Sequence, residues 1–130
     1  MNKKKKSIKE INLKNSSIKI DKFDANAKKY KFQYDEAMNL INTNKHEDGI
    51  ATLRDLAHKN YSKAISTLGQ YYLEGKYLPC NYAMALIMLT RAHNLGDKDA
   101  SILLAECFKN GVGVAANPAR ANLIMKEINS

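Results

Sequence analysis

The sequence predicts an all-α chain: a short α-solenoid of three antiparallel helix pairs, with a basic N-terminal arm ahead of them. Three observations predict it. First, the stretch 64–96 echoes itself thirty-six positions later, at 100–128: Ala64 falls on Ala100, Leu68 on Leu104, Gly69 on Ala105 and Tyr72 on Phe108. Gly75 likewise falls on Gly111, Asn81 on Asn117, Ala83 on Ala119 and Ala85 on Ala121. Self-similarity at a fixed period of this length is the mark of a stacked repeat array. Second, apolar residues recur at three- and four-residue steps through most of the chain, the spacing of a helix with one buried face. Third, Gly, Asn and Pro punctuate that pattern at regular intervals, where helices start and stop.

The arm spans 1–23. It is rich in Lys and poor in Ala and aromatics, so it buries little apolar surface to offset the entropy of ordering. It is expected to be flexible or a short hairpin, with Ile11 and Leu13 on one strand, Ile18 and Ile20 on the other and Asn15-Ser16-Ser17 as the turn. The repeat domain is expected at 24–130, in pairs 24–60, 62–96 and 98–129. In the first pair, Ala27, Tyr30, Tyr34, Ala37 or Met38, and Ile41 mark one helix, ended by Asn42-Thr43-Asn44. Ile50, Leu53, Leu56 and Ala57 mark the next, from roughly Glu47 to Lys59. Ser62 is the expected N-cap of the third helix, which carries Ala64, Leu68 and Tyr72 and stops at Gly75. Asn81 caps a fourth helix that runs to about Leu95 before Gly96. A fifth helix covers 98–110 and ends at Gly111. Asn117 with Pro118 opens the last, since Pro is tolerated at a first helical position.

The net charge of +8 is unevenly placed. Residues 1–31 hold eleven Lys against Glu10, Asp21 and Asp24, which accounts for all of it; the rest of the chain carries ten charges of each sign. The repeat region is therefore neutral, and the basic character says nothing about what it binds. Lys3, Lys4, Lys5 and Lys6 are the candidate polyanion-binding residues, whether for nucleic acid, an acidic protein or an anionic membrane surface. Without Arg, and without an aromatic residue before Phe23, this arm is poorly suited to base readout. No apolar run approaches the length of a membrane span, and Ile8, Ile11 and Leu13 are too interrupted by charge for a signal peptide. A cytoplasmic protein is expected.

The pair at 64–96 resembles a Sel1-like repeat (SLR), a relative of the tetratricopeptide repeats. The resemblance is carried by Ala64, Leu68-Gly69, Tyr72, Gly75, Asn81, Ala83, Ala85, Ala92 and Gly96. The third pair repeats it at Ala100, Leu104-Ala105, Phe108, Gly111-Val112-Gly113-Val114, Asn117, Ala119 and Ala121. The first pair matches less well, because its loop lacks GxGV. Elsewhere Tyr77-Leu78 stands where GV is usual and His93 replaces a small residue. The resemblance implies an interaction module, an adaptor or scaffold, whose concave face holds a peptide or protein partner. Groove residues carried over from tetratricopeptide-like arrays are Ser66, Gln70, Leu73, Glu74, Ile102, Glu106 and Lys109, a mixture suited to an amphipathic peptide.

No catalytic residues, cofactor or metal set is expected, because nucleophile-elbow, phosphate-loop and zinc-spacing motifs are missing. GVGV at 111–114 follows a helix rather than a strand, which excludes a dinucleotide fingerprint. His58 and His93, each directly after an Ala, read as equivalent places in successive pairs. Two such residues could share a metal; with no third ligand at matching spacing, they read as helix-end residues favourable to the dipole. Cys80 in a turn and Cys107 on an apolar helix fit no metal spacing or disulfide framework. The tyrosines read as packing, with Tyr72 in the core and Tyr71 at the surface. Leu123, Ile124, Met125 and Ile128 make the last helix apolar for an array end, so self-association or partner docking is expected there.

Overall fold

A computed structural model describes residues 26–129. The chain divides into two compact units, 1–33 and 34–130; the packing below is that of the second. The basic arm and its lysines lie outside the described residues. Six helices follow one another: α1 (26–42), α2 (His46–His58), α3 (Ser62–Glu74), α4 (Tyr82–Asn94), α5 (Lys98–Asn110) and α6 (Pro118–Asn129). No strand occurs among the described residues.

The period is stricter than the sequence suggested. α2, α4 and α6 begin at 46, 82 and 118, and α3 and α5 at 62 and 98. The reason lies in the loops. After α3, Gly75 turns left-handed (φ 67°) and its N–H bonds the Tyr71 carbonyl; after α5, Gly111 (φ 71°) does the same to Cys107. Each loop then closes when an Asn N–H donates back to an aromatic residue's carbonyl, Asn81 to Tyr72 (2.9 Å) and Asn117 to Phe108 (2.6 Å). Those Asn side chains cap the next helix, Asn81 Oδ1 accepting from Met84 N–H (3.1 Å) and Asn117 Oδ1 from Arg120 N–H (3.1 Å). The junctions between pairs repeat as well. Asn60 and Gly96 take the left-handed position (φ 63° and 92°), and Tyr61 and Asp97 donate back to Leu56 and Ala92.

The first pair keeps this register by a different route. Asn39 stands where the later pairs have glycine, so α1 runs on a further turn through Ile41 and the loop to α2 shortens to match. Two expected details differ. Ser62 is the first helical residue rather than the cap: Tyr61 occupies the cap and makes no side-chain bond there. Asp97, unremarked in the sequence, caps α5 by accepting from Ala100 N–H at 2.9 Å.

Small residues set the helix spacing. A Cβ on Gly69 would stand 3.0 Å from Leu89 Cδ2, so α3 and α4 approach as closely as glycine allows. Gly49 is tighter still, its added Cβ falling 2.5 Å from Ile41 Cγ1 and 2.8 Å from the Ala37 carbonyl oxygen. Around these contacts Leu53, Leu56, Ile65, Leu68 and Leu89 are fully buried. Polar ties bridge the helices: Tyr34 Oη pairs with Thr67 Oγ1 at 2.8 Å, and Arg91 Nη2 donates to the Ala57 carbonyl (3.0 Å) and to Asn60 Oδ1. Arg91 thus ties α4 to the C-terminal end of α2.

Candidate interaction face

The expected groove residues fall on α3 and α5 in equivalent register, Ser66 with Ile102, Gln70 with Glu106 and Leu73 with Lys109. Helical spacing explains why they share a face: 66, 70, 73 and 102, 106, 109 advance by four and three residues. Ser66 is 6% exposed and offers no open surface, whereas Ile102 is 41% exposed. Gln70 Nε2 donates to Glu74 Oε1 at 3.0 Å, so these two are held against each other along α3.

Leu73 and Glu106 come together in a cleft of about 150 Å³. Tyr82 and Leu103 wall it, with Cys107, Asn110 and Val112 completing the lining. Gln70, Glu74, Ile102 and Lys109 lie on the same helices outside this cleft. Sequence reasoning missed Tyr82 and Leu103. The sequence reads Tyr82 as a packing residue, yet it is 48% exposed at the first turn of α4. A signal was present, since its equivalent in the next pair is Pro118, a surface helix start. The lining joins apolar side chains to one amide and one carboxylate, which suits an aliphatic side chain and the backbone N–H groups beside it. The Cys107 thiol is pushed up by burial first and by the neighbouring Glu106 charge second, so it stays protonated and acts as an apolar wall. Cys80 and Cys107 are both free.

The two histidines are not equivalent, contrary to the sequence reading. At a period of thirty-six, His93 matches Ala57 and His58 matches Asn94; matching Ala57 to Ala92 is one residue out of frame. Their surroundings differ accordingly. His58 is exposed. His93 links three helices, with Nδ1 2.6 Å from Ser101 Oγ on α5 and Nε2 3.2 Å from Glu127 Oε2 on α6. Ser101 Oγ already donates to the Asp97 carbonyl (2.9 Å), so the Nδ1–H donates to Ser101. The Glu127 contact becomes an ion pair when the ring carries its second proton. No group of three or more His, Cys, Asp or Glu that could hold a metal occurs among the described residues.

No described helix is long and apolar enough to cross a membrane. No protein-family model matches the sequence, and no curated protein sequence matches it. Solved structures do. A Sel1 repeat protein from Oxalobacter formigenes is similar at TM-score 0.66 and 19% identity over 74% of this chain. A protective antigen present in uropathogenic Escherichia coli strains, displaying an SLR fold, is similar at TM-score 0.70 and 16% identity over 81% of it. The chain spans 38% and 23% of those two proteins' lengths. The fold is thus that of the Sel1-like repeats: an all-α, tetratricopeptide-like solenoid of three helix pairs.

Proposed function

We propose that the chain is a non-catalytic protein-interaction module that holds an amphipathic segment of a partner along α3 and α5. The observation that carries this is the cleft, which brings Leu73, Tyr82, Leu103 and Val112 together with Glu106 and Asn110. Ile102, exposed, lies one turn from Glu106 along α5. Such a face anchors one aliphatic side chain in the cleft and a second on Ile102, with Gln70, Glu74 and Lys109 giving polar contacts around them. The fold supports the reading, because stacked helix pairs leave an extended surface and bury only what faces their neighbours.

Affinity capture followed by titration with the captured partner tests it. Leu73→Glu and Ile102→Glu each place a carboxylate in an apolar contact and are expected to weaken binding at least about tenfold, roughly 1.4 kcal/mol. Both positions are partly solvent-accessible, so helical content is expected to hold. Binding that survives both changes places the partner elsewhere.

A further inference from the structure

The cleft beside Leu73 holds one charge without a counter-charge. Glu106 is the sole charged residue of its lining, and among the described residues it is paired with no cation. Lys109, one turn further along α5, stands outside the lining. The rest of the lining is apolar or neutral. A carboxylate set among such groups loses water when a partner covers it. That loss is unfavourable unless the partner brings a cation.

The Tyr82 ring, in the same lining, points to the same class of ligand. An aromatic ring attracts a cation to its face. Elsewhere the chain supplies that cation itself. Lys63 Nζ lies 5.0 Å from the centroid of the Tyr34 ring, Lys76 Nζ 5.3 Å from that of Tyr77, and the Arg120 guanidinium 5.9 Å from that of Phe108. Tyr82 is 48% exposed and has no such cation among the described residues.

We propose that the cleft takes a lysine side chain of the partner. The inference rests on the α3–α5 face being the binding surface, and it names the side chain that enters the cleft. A lysine joins an apolar stem to a cationic head. The stem packs with Leu73, Leu103 and Val112, and the ammonium pairs with Glu106, with the Tyr82 ring as its second attraction. The room suits this ligand. At crystal-like packing a cleft of about 150 Å³ takes on the order of seven non-hydrogen atoms, enough for a lysine side chain and too few for a tryptophan. Ile102 lies one helical turn from Glu106, about 6 Å along the axis. The recognised segment therefore pairs a lysine with an aliphatic residue at that spacing.

The N-acetyl, N-methylamide derivative of lysine is the probe, titrated into the full-length protein at low salt with amide and methyl NMR shifts as the readout. Saturable shifts at Leu73, Leu103 and Val112 with a millimolar dissociation constant are expected. The norleucine derivative, which keeps the stem and lacks the ammonium, should bind at least about threefold more weakly. Glu106→Gln should erase that difference. Tyr82→Leu should weaken the lysine derivative about threefold and leave the norleucine derivative unchanged. Both positions are exposed, and circular dichroism confirms that each variant is folded. Norleucine that binds as well as lysine, or a lysine preference that survives Glu106→Gln, overturns the lysine assignment while leaving the α3–α5 face as an apolar site. A linear, unsaturable response to both derivatives overturns the cleft as a side-chain site. The face as a whole is judged separately, by partner binding to Leu73→Glu and Ile102→Glu.

Discussion

At the scale of single residues, adjacent tyrosines show how a helix chooses its buried side. Four-residue steps from Ala64 and Leu68 lead to Tyr72, yet Tyr71 is the buried one, at 7% exposure. Seven residues make nearly two turns, so 71 returns to within about 20° of 64 while 72 lies about 80° away. Burial pushes the Tyr71 phenol up to about 12, and burial also raises Tyr34 against the lowering effect of its Thr67 hydrogen bond. Between about pH 10, the ordinary phenol value, and about pH 12, the unfolded chain loses a proton that folded Tyr71 retains. Stability is thus intact below about pH 10 and falls as pH rises through that window. Tyr71→Phe should flatten the fall, read as the urea midpoint against pH. Gly49 and Gly96 separate two reasons for having glycine. Gly49→Ala must displace Ile41 or the Ala37 carbonyl and should lose about 1–3 kcal/mol in urea unfolding. Gly96 has nothing within 4 Å of an added Cβ, so Gly96→Ala pays only for its left-handed φ of 92°, about 1 kcal/mol.

At the scale of elements, the loops and caps carry the repeat more faithfully than the helix faces do. Most of this was legible. Gly75, Gly111, Asn81 and Asn117 each imply a specific backbone geometry, and each adopts it. What was not legible is how the first pair keeps time without a GxGV loop. No residue type announces that a helix will run a turn longer while its loop shortens by as much. That same gap let the histidines be paired in the wrong frame, since Ala57-His58 and Ala92-His93 look alike as text. The candidate face was legible in its helical register and not in its depth. Ser66 and Ile102 share a repeat position, yet one is buried and the other open, and Tyr82 enters the cleft from a third helix. Arg91 is another element-scale feature, since its guanidinium adds a bond from α4 to the Ala57 carbonyl at the end of α2, which also accepts from Asn60 N–H at 3.0 Å. Arg91→Ala should lower stability by about 1.5 kcal/mol in urea unfolding. Arg91→Lys should recover part of this, because both bonds come from the one nitrogen Nη2 and an ammonium carries donors enough for two acceptors.

At the scale of the whole molecule, the described array is mainly a chain of successive packings, α2 on α3, α3 on α4, α4 on α5 and α5 on α6, with a lesser contact of α3 on α5. An array of this kind shares its stability along its length and leaves its outer positions uncovered. The sequence grouped Leu123, Ile124, Met125 and Ile128 as one apolar end, and the structure divides them. Ile124 is 2% exposed and belongs to the core, while Leu123 is 55% and Met125 38% exposed. Met125 is the equivalent of Leu89, which is fully buried one repeat earlier, so the position is built for contact. Leu123 is the equivalent of Ile87, itself 63% exposed, so a large apolar residue recurs on the outer side of successive helices. Burying one such side chain contributes roughly 1.5–3 kcal/mol, so a self-complementary contact through two residues from each copy reaches weak dimerisation. A weight-average mass that rises with concentration in sedimentation equilibrium is therefore expected for the intact chain. The double change Leu123→Glu with Met125→Glu should hold it at the monomer mass while leaving helical content unchanged, because neither side chain is in the core. A wild-type mass that stays monomeric into the millimolar range would remove self-association from the roles of α6.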